Sequence, residues 1–460
     1  MPHNKDKLDY GLLFVFIAVF IIINLKGLLI AQPGDENAYY YMGKLVSEGR
    51  VPYKDFFFAH PPFHIYLIAL IYKVFGFNIV ILKSIPLIST LISAIFIFCI
   101  AKNKYGSMPA IISSSLFLFS YSILFNSVFS FGIEVAAMFL VIGVYFLLIR
   151  RNDALAGIFF GLAGITRLLS IVPVAVIFTL IFLSNKKRLL RLLFGFMMIF
   201  LIVNGLFILF LRNDYLTPVY KYHLLKSFGK EENFKEYIDI IKLNWILFAS
   251  ALLFVFIKDK KQISIFAIVS VTYLLFLMAL KKNFGFYFIV AFPFLAIAGG
   301  YSIVNIFRKL NLSKKWKIFI SVILLLIFLW NLTSDILFLE KIGFKGFNRK
   351  DNLIDFINSA SGKETLLFGD DSVVPLLALL TNKKIALDFV DTNDQVFISG
   401  VRDLNKVLNE LKGKDVLFII RSKQGISYFE EVRNFLSGNC EFLSQFHDKI
   451  EGDYIVYRCK

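Results

Sequence analysis

Two acidic residues, Asp35 and Glu36, follow Pro33-Gly34 directly after an apolar run at 10 to 31. A carboxylate there meets both water and the lipid headgroup zone, where it can take a proton from a hydroxyl. An acidic pair can also hold a divalent cation, but too few hard ligands cluster here to assign one from spacing. A competing and compatible role for Asp35 is the N-cap of a helix-like stretch from Ala38 to Ser47. Downstream, Ala59-His60-Pro61-Pro62-Phe63 holds a histidine in a rigid turn. An interfacial histidine is favoured over a metal ligand. Glu134 opens one apolar run, and Lys83 and Arg167 stand at the ends of others. Such cations can hold a phosphate, or they can simply snorkel to the headgroups. Lys281 with Lys282, and Tyr222 with His223, lie in connectors where charge is usually only solvated. Gly369-Asp370-Asp371, after a strand-like stretch, is either a ligand-contacting turn or a turn followed by a helix cap.

The elements that must carry these residues are membrane helices. The 460 residues are 58% apolar and only 18% charged, with 54 Phe, which excludes a secreted, fibrous or disordered chain. Apolar runs lie near 10–31, 79–101, 108–125, 133–149, 154–167, 168–184, 190–211, 243–257, 262–280, 285–307 and 318–338, about 11 candidate spans. The stretch 154–184 is divided at Arg167, because one long crossing would invert every later connector.

Charge supports this division. Residues from 340 onward hold 17 basic and 18 acidic side chains, leaving 33 basic and 15 acidic ones before them, a net +18. The connectors read as internal, near 5–9, 102–104, 150–153, 186–191, 258–261 and 308–317, carry eighteen cations, including Lys258, Lys260 and Lys261, against four acids. That is the positive-inside pattern, so the basicity is topogenic and no nucleic-acid partner is expected. Residues 62–77 are apolar but short and carry His64 and Lys73. A crossing there would move the basic connectors outside, so an interfacial helix is expected.

The string Gly34-Asp35-Glu36, Tyr39 to Tyr41, Gly49 with Val51-Pro52-Tyr53-Lys54-Asp55, and His60-Pro61-Pro62 is similar to a known first outer loop. It resembles that of the protein O-mannosyltransferase and lipid A aminoarabinose transferase superfamily, GT-C class membrane glycosyltransferases (family 39-like). Lys83, Lys104-Tyr105-Gly106, Glu134 and Gly161 to Arg167 extend the likeness across roughly the first 185 residues. One departure is that no Arg stands in Ser127 to Glu134, where relatives carry one before the acidic position.

The resemblance implies a polytopic α-helical membrane protein, N-in and C-out, of the GT-C type. A transmembrane domain at 1–339, with outer loops at 32–78 and 212–242, would precede a small extracytoplasmic α/β domain at 340–460. It implies a multi-pass protein of the cell membrane that moves a sugar from a polyprenyl or dolichyl phosphate to an acceptor protein, glycolipid or surface glycan. Asp35, Glu36 and Glu134 are the expected catalytic residues, with Asp35 as general base. Lys83, Arg167, His60, Lys281 and Lys282 would hold the donor phosphate, and Tyr39, Tyr40, Tyr222 and His223 would touch acceptor or sugar. No cofactor is assigned beyond the open divalent cation. A transporter or flippase of lipid-linked glycans is the rival reading, supported by the span count and intramembrane cations. Cys440 and Cys459 can pair or remain free thiols.

Overall fold

The computed structural model describes residues 2–226, 230–257, 264–310, 312–344, 353–422, 425–447 and 452–460. The expected internal cations Lys258, Lys260 and Lys261 lie outside these residues. Among the described residues, each of the eleven apolar runs is mostly helical. Five helices are long and apolar enough to cross a membrane alone: Lys7–Leu29, Ile79–Tyr105, Ile133–Arg150, Lys186–Leu211 and Lys314–Lys341. A sixth crossing is reached if the pair Asn233–Leu243 and Trp245–Phe256, bent by 83°, is one broken span. Most other runs make shorter apolar helices, and the 18-residue Phe292–Lys309 helix ends in Arg308-Lys309, so by length and composition the described residues give fewer than eleven single-helix crossings. The break expected at Arg167 is present. The Asp153–Thr166 helix stops there, Arg167 is extended (φ −147°, ψ 125°), and Ile171–Ser184 begins after one tight turn. The Phe63–Phe75 helix occupies the segment expected to lie at the interface.

The chain divides into two compact units. The first comprises Met1–Leu28, Lys83–Leu206 and Gly229–Gly343. Its helices approach through small residues, as lipid-embedded helices do. A Cβ on Gly157 would stand 2.1 Å from the Leu192 carbonyl oxygen, and one on Gly195 would stand 2.0 Å from that of Ala154. These two glycines therefore let the Asp153–Thr166 and Lys186–Leu211 helices touch backbone to backbone.

The second unit comprises Leu29–Leu82, Phe207–Phe228 and Phe344–Lys460. It gathers much of both expected outer loops together with the expected carboxyl-terminal domain. Its sheet has the order β1 (Leu366–Gly369), β2 (Val416–Arg421), β4 (Tyr454–Cys459), β3 (Cys440–Phe446). The β1 and β2 strands are parallel, and the remaining pairs are antiparallel. Strand β2 is apolar and buried from Val416 to Ile420, and the amphipathic Leu404–Leu411 and Glu430–Asn439 helices bury their apolar sides with it in one core. Cys440 and Cys459 form a disulfide that joins the edge strand β3 to its neighbour β4. The stretch 384–387 makes only a single bridge, Leu367 to Ile385, followed by a tight turn in which Leu387 (φ 59°) and Asp388 (φ 50°) are left-handed.

Where β1 ends, Gly369 has φ +138°, and a Cβ there would stand 1.8 Å from the Ile419 carbonyl oxygen. Only glycine lets β1 turn this close to β2. The turn that follows and Arg421 thus emerge together at the carboxyl ends of the two parallel strands, the usual ligand edge of such sheets.

Candidate active site

Asp35 stands at the N-cap position of the Glu36–Ser47 helix, yet its side chain makes no capping hydrogen bond. Its residue is exposed, whereas neighbouring Glu36 is fully buried. Asn37 fixes the turn that presents Asp35, donating from Nδ2 to the Gln32 and Gly34 carbonyls at 2.9 Å each. The Gly34 amide in turn donates to the Ser372 carbonyl at 3.1 Å, which ties the Asp35 turn to the turn after β1.

That second turn is acidic and internally braced. Buried Asp370 accepts hydrogen bonds from Ser372 Oγ (2.6 Å) and Ser372 N (3.1 Å), and Arg421 Nε donates to its other oxygen at 2.8 Å. Asp371 next to it is only partly exposed. Burial first, then the charges of Asp370, Asp35 and Asp391, push its carboxyl well above the usual carboxylate range, with Arg421 opposing. Asp391 is pushed up to about 6 by burial and by Asp35, against the Asn393 amide and Lys226. Asp35 therefore faces carboxyls that resist ionising beside it, which limits the negative charge gathered at the turn. Among the described residues no three His, Cys, Asp or Glu side chains converge as a metal site.

A ring cluster completes this unit's polar features. The Tyr39 hydroxyl and His60 Nε2 share a hydrogen bond of 3.1 Å, and the Tyr53 hydroxyl donates to the His60 carbonyl at 2.8 Å. The His60 and His223 rings stack at 5.7 Å, while His223 Nε2 donates to the Ala59 carbonyl at 2.7 Å. Tyr39, His60 and His223, singled out separately in the sequence, are thus brought together. Tyr40 is fully buried, and Tyr222 is buried with its ring against Phe57 at 5.3 Å. Both serve packing. Lys226 lies 4.9 Å over the Tyr222 ring.

The other expected residues belong to the first unit. Lys83 does not snorkel: it is fully buried, and its Nζ donates to the Gly27 carbonyl at 2.9 Å, near the end of the Pro2–Leu29 helix, where a cation also suits the dipole. Glu134, 2% exposed, lies in the first turn of the Ile133–Tyr145 helix. Among the described residues its carboxylate oxygens have no hydrogen-bond partner, but the equally buried Arg167 is close enough to attract its charge. Lys281 is exposed and Lys282 partly so, on a turn whose Leu280 and Lys281 carbonyls accept from Asn233 Nδ2 at 3.0 and 2.8 Å.

Sequence reasoning missed Asp391, Arg421 and Lys226 altogether and left Asp371 as one of two readings of a turn. The visible signal was Gly369-Asp370-Asp371 after a strand. The others are assembled only by the sheet and the returning loops.

A family model described as dolichyl-phosphate-mannose-protein mannosyltransferase matches residues 59–211. No curated protein sequence matches the chain. Among solved structures, ArnT from Cupriavidus metallidurans in the apo state is 15% identical, with a TM-score of 0.67, covering 98% of both chains. The same protein bound to undecaprenyl phosphate is 14% identical, with a TM-score of 0.65, covering 97% of this chain and 98% of that one. The oligosaccharyltransferase AglB from Archaeoglobus fulgidus, in complex with an inhibitory peptide and a dolichol-phosphate, is 10% identical. Its TM-score is 0.58, over 98% of this chain and 74% of that one. In fold over almost its whole length, and in its family match over 59–211, the chain resembles the GT-C membrane glycosyltransferases of the protein O-mannosyltransferase and ArnT type.

Proposed function

We propose that the chain is a membrane glycosyltransferase that moves a sugar from a polyprenyl or dolichyl phosphate to an acceptor on the extracytoplasmic face. The observation that carries this reading is Asp35: an exposed carboxylate at a helix start, not used for capping, on a turn held by the Asn37 and Ser372 hydrogen bonds. Asp35 accepts the acceptor's hydroxyl proton as that oxygen bonds to the anomeric carbon. The bond from that carbon to the phosphate oxygen breaks, its electron pair leaves with the lipid phosphate, and the configuration inverts. The lipid donor is supported by the relatives whose structures hold undecaprenyl phosphate and dolichol-phosphate. Arg167 is the proposed phosphate-holding cation, since a guanidinium matches phosphate oxygens and gains strength away from bulk water. The extracytoplasmic side is supported by the basic inner connectors and by the Cys440–Cys459 disulfide, which suits an oxidising compartment.

The test is transfer of radiolabelled sugar from a polyprenyl-phosphate donor by the purified full chain in lipid vesicles. Label is expected to leave the lipid when an extracytoplasmic membrane extract supplies acceptors. Label retained on every such donor would reject the reading.

A further inference from the structure

Four cations and one anion line a cleft of about 420 Å³ in the first unit. Asp153, whose side chain is 1% exposed, fixes two of the cations: Arg188 approaches at 2.7 and 3.0 Å, and Arg191 at 2.9 Å. The Gly157–Gly195 contact described above holds these two helices in register. Arg188 Nη2 is pinned further by donating to the Leu147 carbonyl at 3.1 Å. One carboxylate thus serves two guanidiniums. The remaining cations, Lys104 and Arg151, are exposed and near enough to repel one another, and among the described residues neither makes an ion pair. Four positive charges and one negative leave the cleft at about +3. Arg151 has a left-handed backbone (φ 53°), a conformation that side chains other than glycine, Asn and Asp rarely adopt. It is set between the turn Phe146–Arg150 and the N-cap Asn152, whose Oδ1 accepts from Leu155 N at 3.0 Å.

We propose that this cleft binds the headgroup of an anionic phospholipid at the cytoplasmic membrane surface. The charge excess calls for an anion. The position favours a lipid over free phosphate: Lys104 and Arg151 lie at the ends of the crossing-length Ile79–Tyr105 and Ile133–Arg150 helices, and Leu148 offers an apolar wall beside them. Basic pockets between helices on this side suit such headgroups, at roughly fivefold in affinity per cation. The inference is independent of the transfer chemistry.

The experiment measures lipid binding to the delipidated full chain by native mass spectrometry, with dioleoyl-phosphatidylglycerol, dioleoyl-phosphatidylcholine or inorganic phosphate added in turn. Phosphatidylglycerol is expected to bind selectively. The Lys104→Gln/Arg151→Asn double variant is expected to lose roughly thirty-fold in affinity for it. Asn is chosen because it tolerates the left-handed backbone. Arg308→Gln/Lys309→Gln removes the same charge elsewhere and should stay within about threefold, below the cost of one surface cation. Should the double variant not yield folded protein, Lys104→Gln alone decides, with roughly a fivefold loss expected. Equal losses in the two double variants, or no loss in Lys104→Gln, would overturn the proposal. So would phosphatidylcholine or inorganic phosphate binding as tightly as phosphatidylglycerol.

Discussion

Replacing Asp35 by Asn is expected to lower the transfer rate by about 10²–10⁴-fold, the range lost with a general base, while the protein stays folded and inserted. The substitution separates chemistry from structure unusually well at this position. Asp35 makes no side-chain cap to its helix, and Asn is as good an N-cap residue as Asp, so the helix start loses nothing. The volume is conserved and the residue is exposed, so no cavity forms. What disappears is the capacity to accept a proton. The acidic turn opposite cannot simply replace it, because burial, Asp370 and Asp391 still push the Asp371 carboxyl above the usual carboxylate range once the Asp35 charge is gone. Transfer rates in vesicles, with circular dichroism and vesicle flotation as fold and insertion controls, make the measurement. Undiminished transfer would remove Asp35 from the mechanism.

The second large effect concerns Arg167. Arg167→Ala is expected to reduce kcat/KM for the lipid donor by about a hundredfold or more, since losing one partner of a buried charge pair typically costs 2–5 kcal/mol. Part of such a loss could come from leaving Glu134 buried without its counter-charge, and a double variant separates the two causes. If Arg167 only neutralises Glu134, adding Glu134→Gln restores activity. If Arg167 holds the donor phosphate, the double variant remains as poor as Arg167→Ala, and this is the outcome expected. Lys26→Ala should stay near wild type, because Lys26 is exposed and only reaches the Glu340 carbonyl at 3.1 Å. Equal effects of Arg167→Ala and Lys26→Ala would undo the phosphate assignment.

How far these features could be read from residues alone follows from their sequence range. The Arg167 break was visible because an ionised side chain inside an apolar run forces either an end or a partner, and the extended backbone there is that end. The Asp35 turn was visible because Pro, Gly and two acids meet at the close of a span. The β3 strand was not, since Cys440–Phe446 mixes polar and apolar residues, buries none of them fully, and carries an irregularity between Phe442 and Ser444. The 384–387 stretch is the opposite case: it is apolar enough for a strand, but the left-handed Leu387 and Asp388 turn it out of the sheet after one bridge. Lys83 was read as a phosphate-holding or snorkelling cation, and its burial was not legible because it depends on the end of a helix more than fifty residues away. Asp371, Asp391, Arg421 and Lys226 lie far along the chain from Asp35, and only the parallel β1–β2 pair and the returning loops bring them to it.

The central claim, a proton-accepting carboxylate at the outer membrane surface, is tested most directly by the sidedness of residue 35. Asp35→Cys and Lys104→Cys are made singly in a chain whose free thiol Cys99 is replaced by Ser, with Cys440 and Cys459 left paired. Intact cells are then treated with a membrane-impermeant maleimide. The account predicts labelling of residue 35 before permeabilisation and of residue 104 only afterwards. Labelling of residue 35 only after permeabilisation would place the carboxylate in the cytosol and contradict the account.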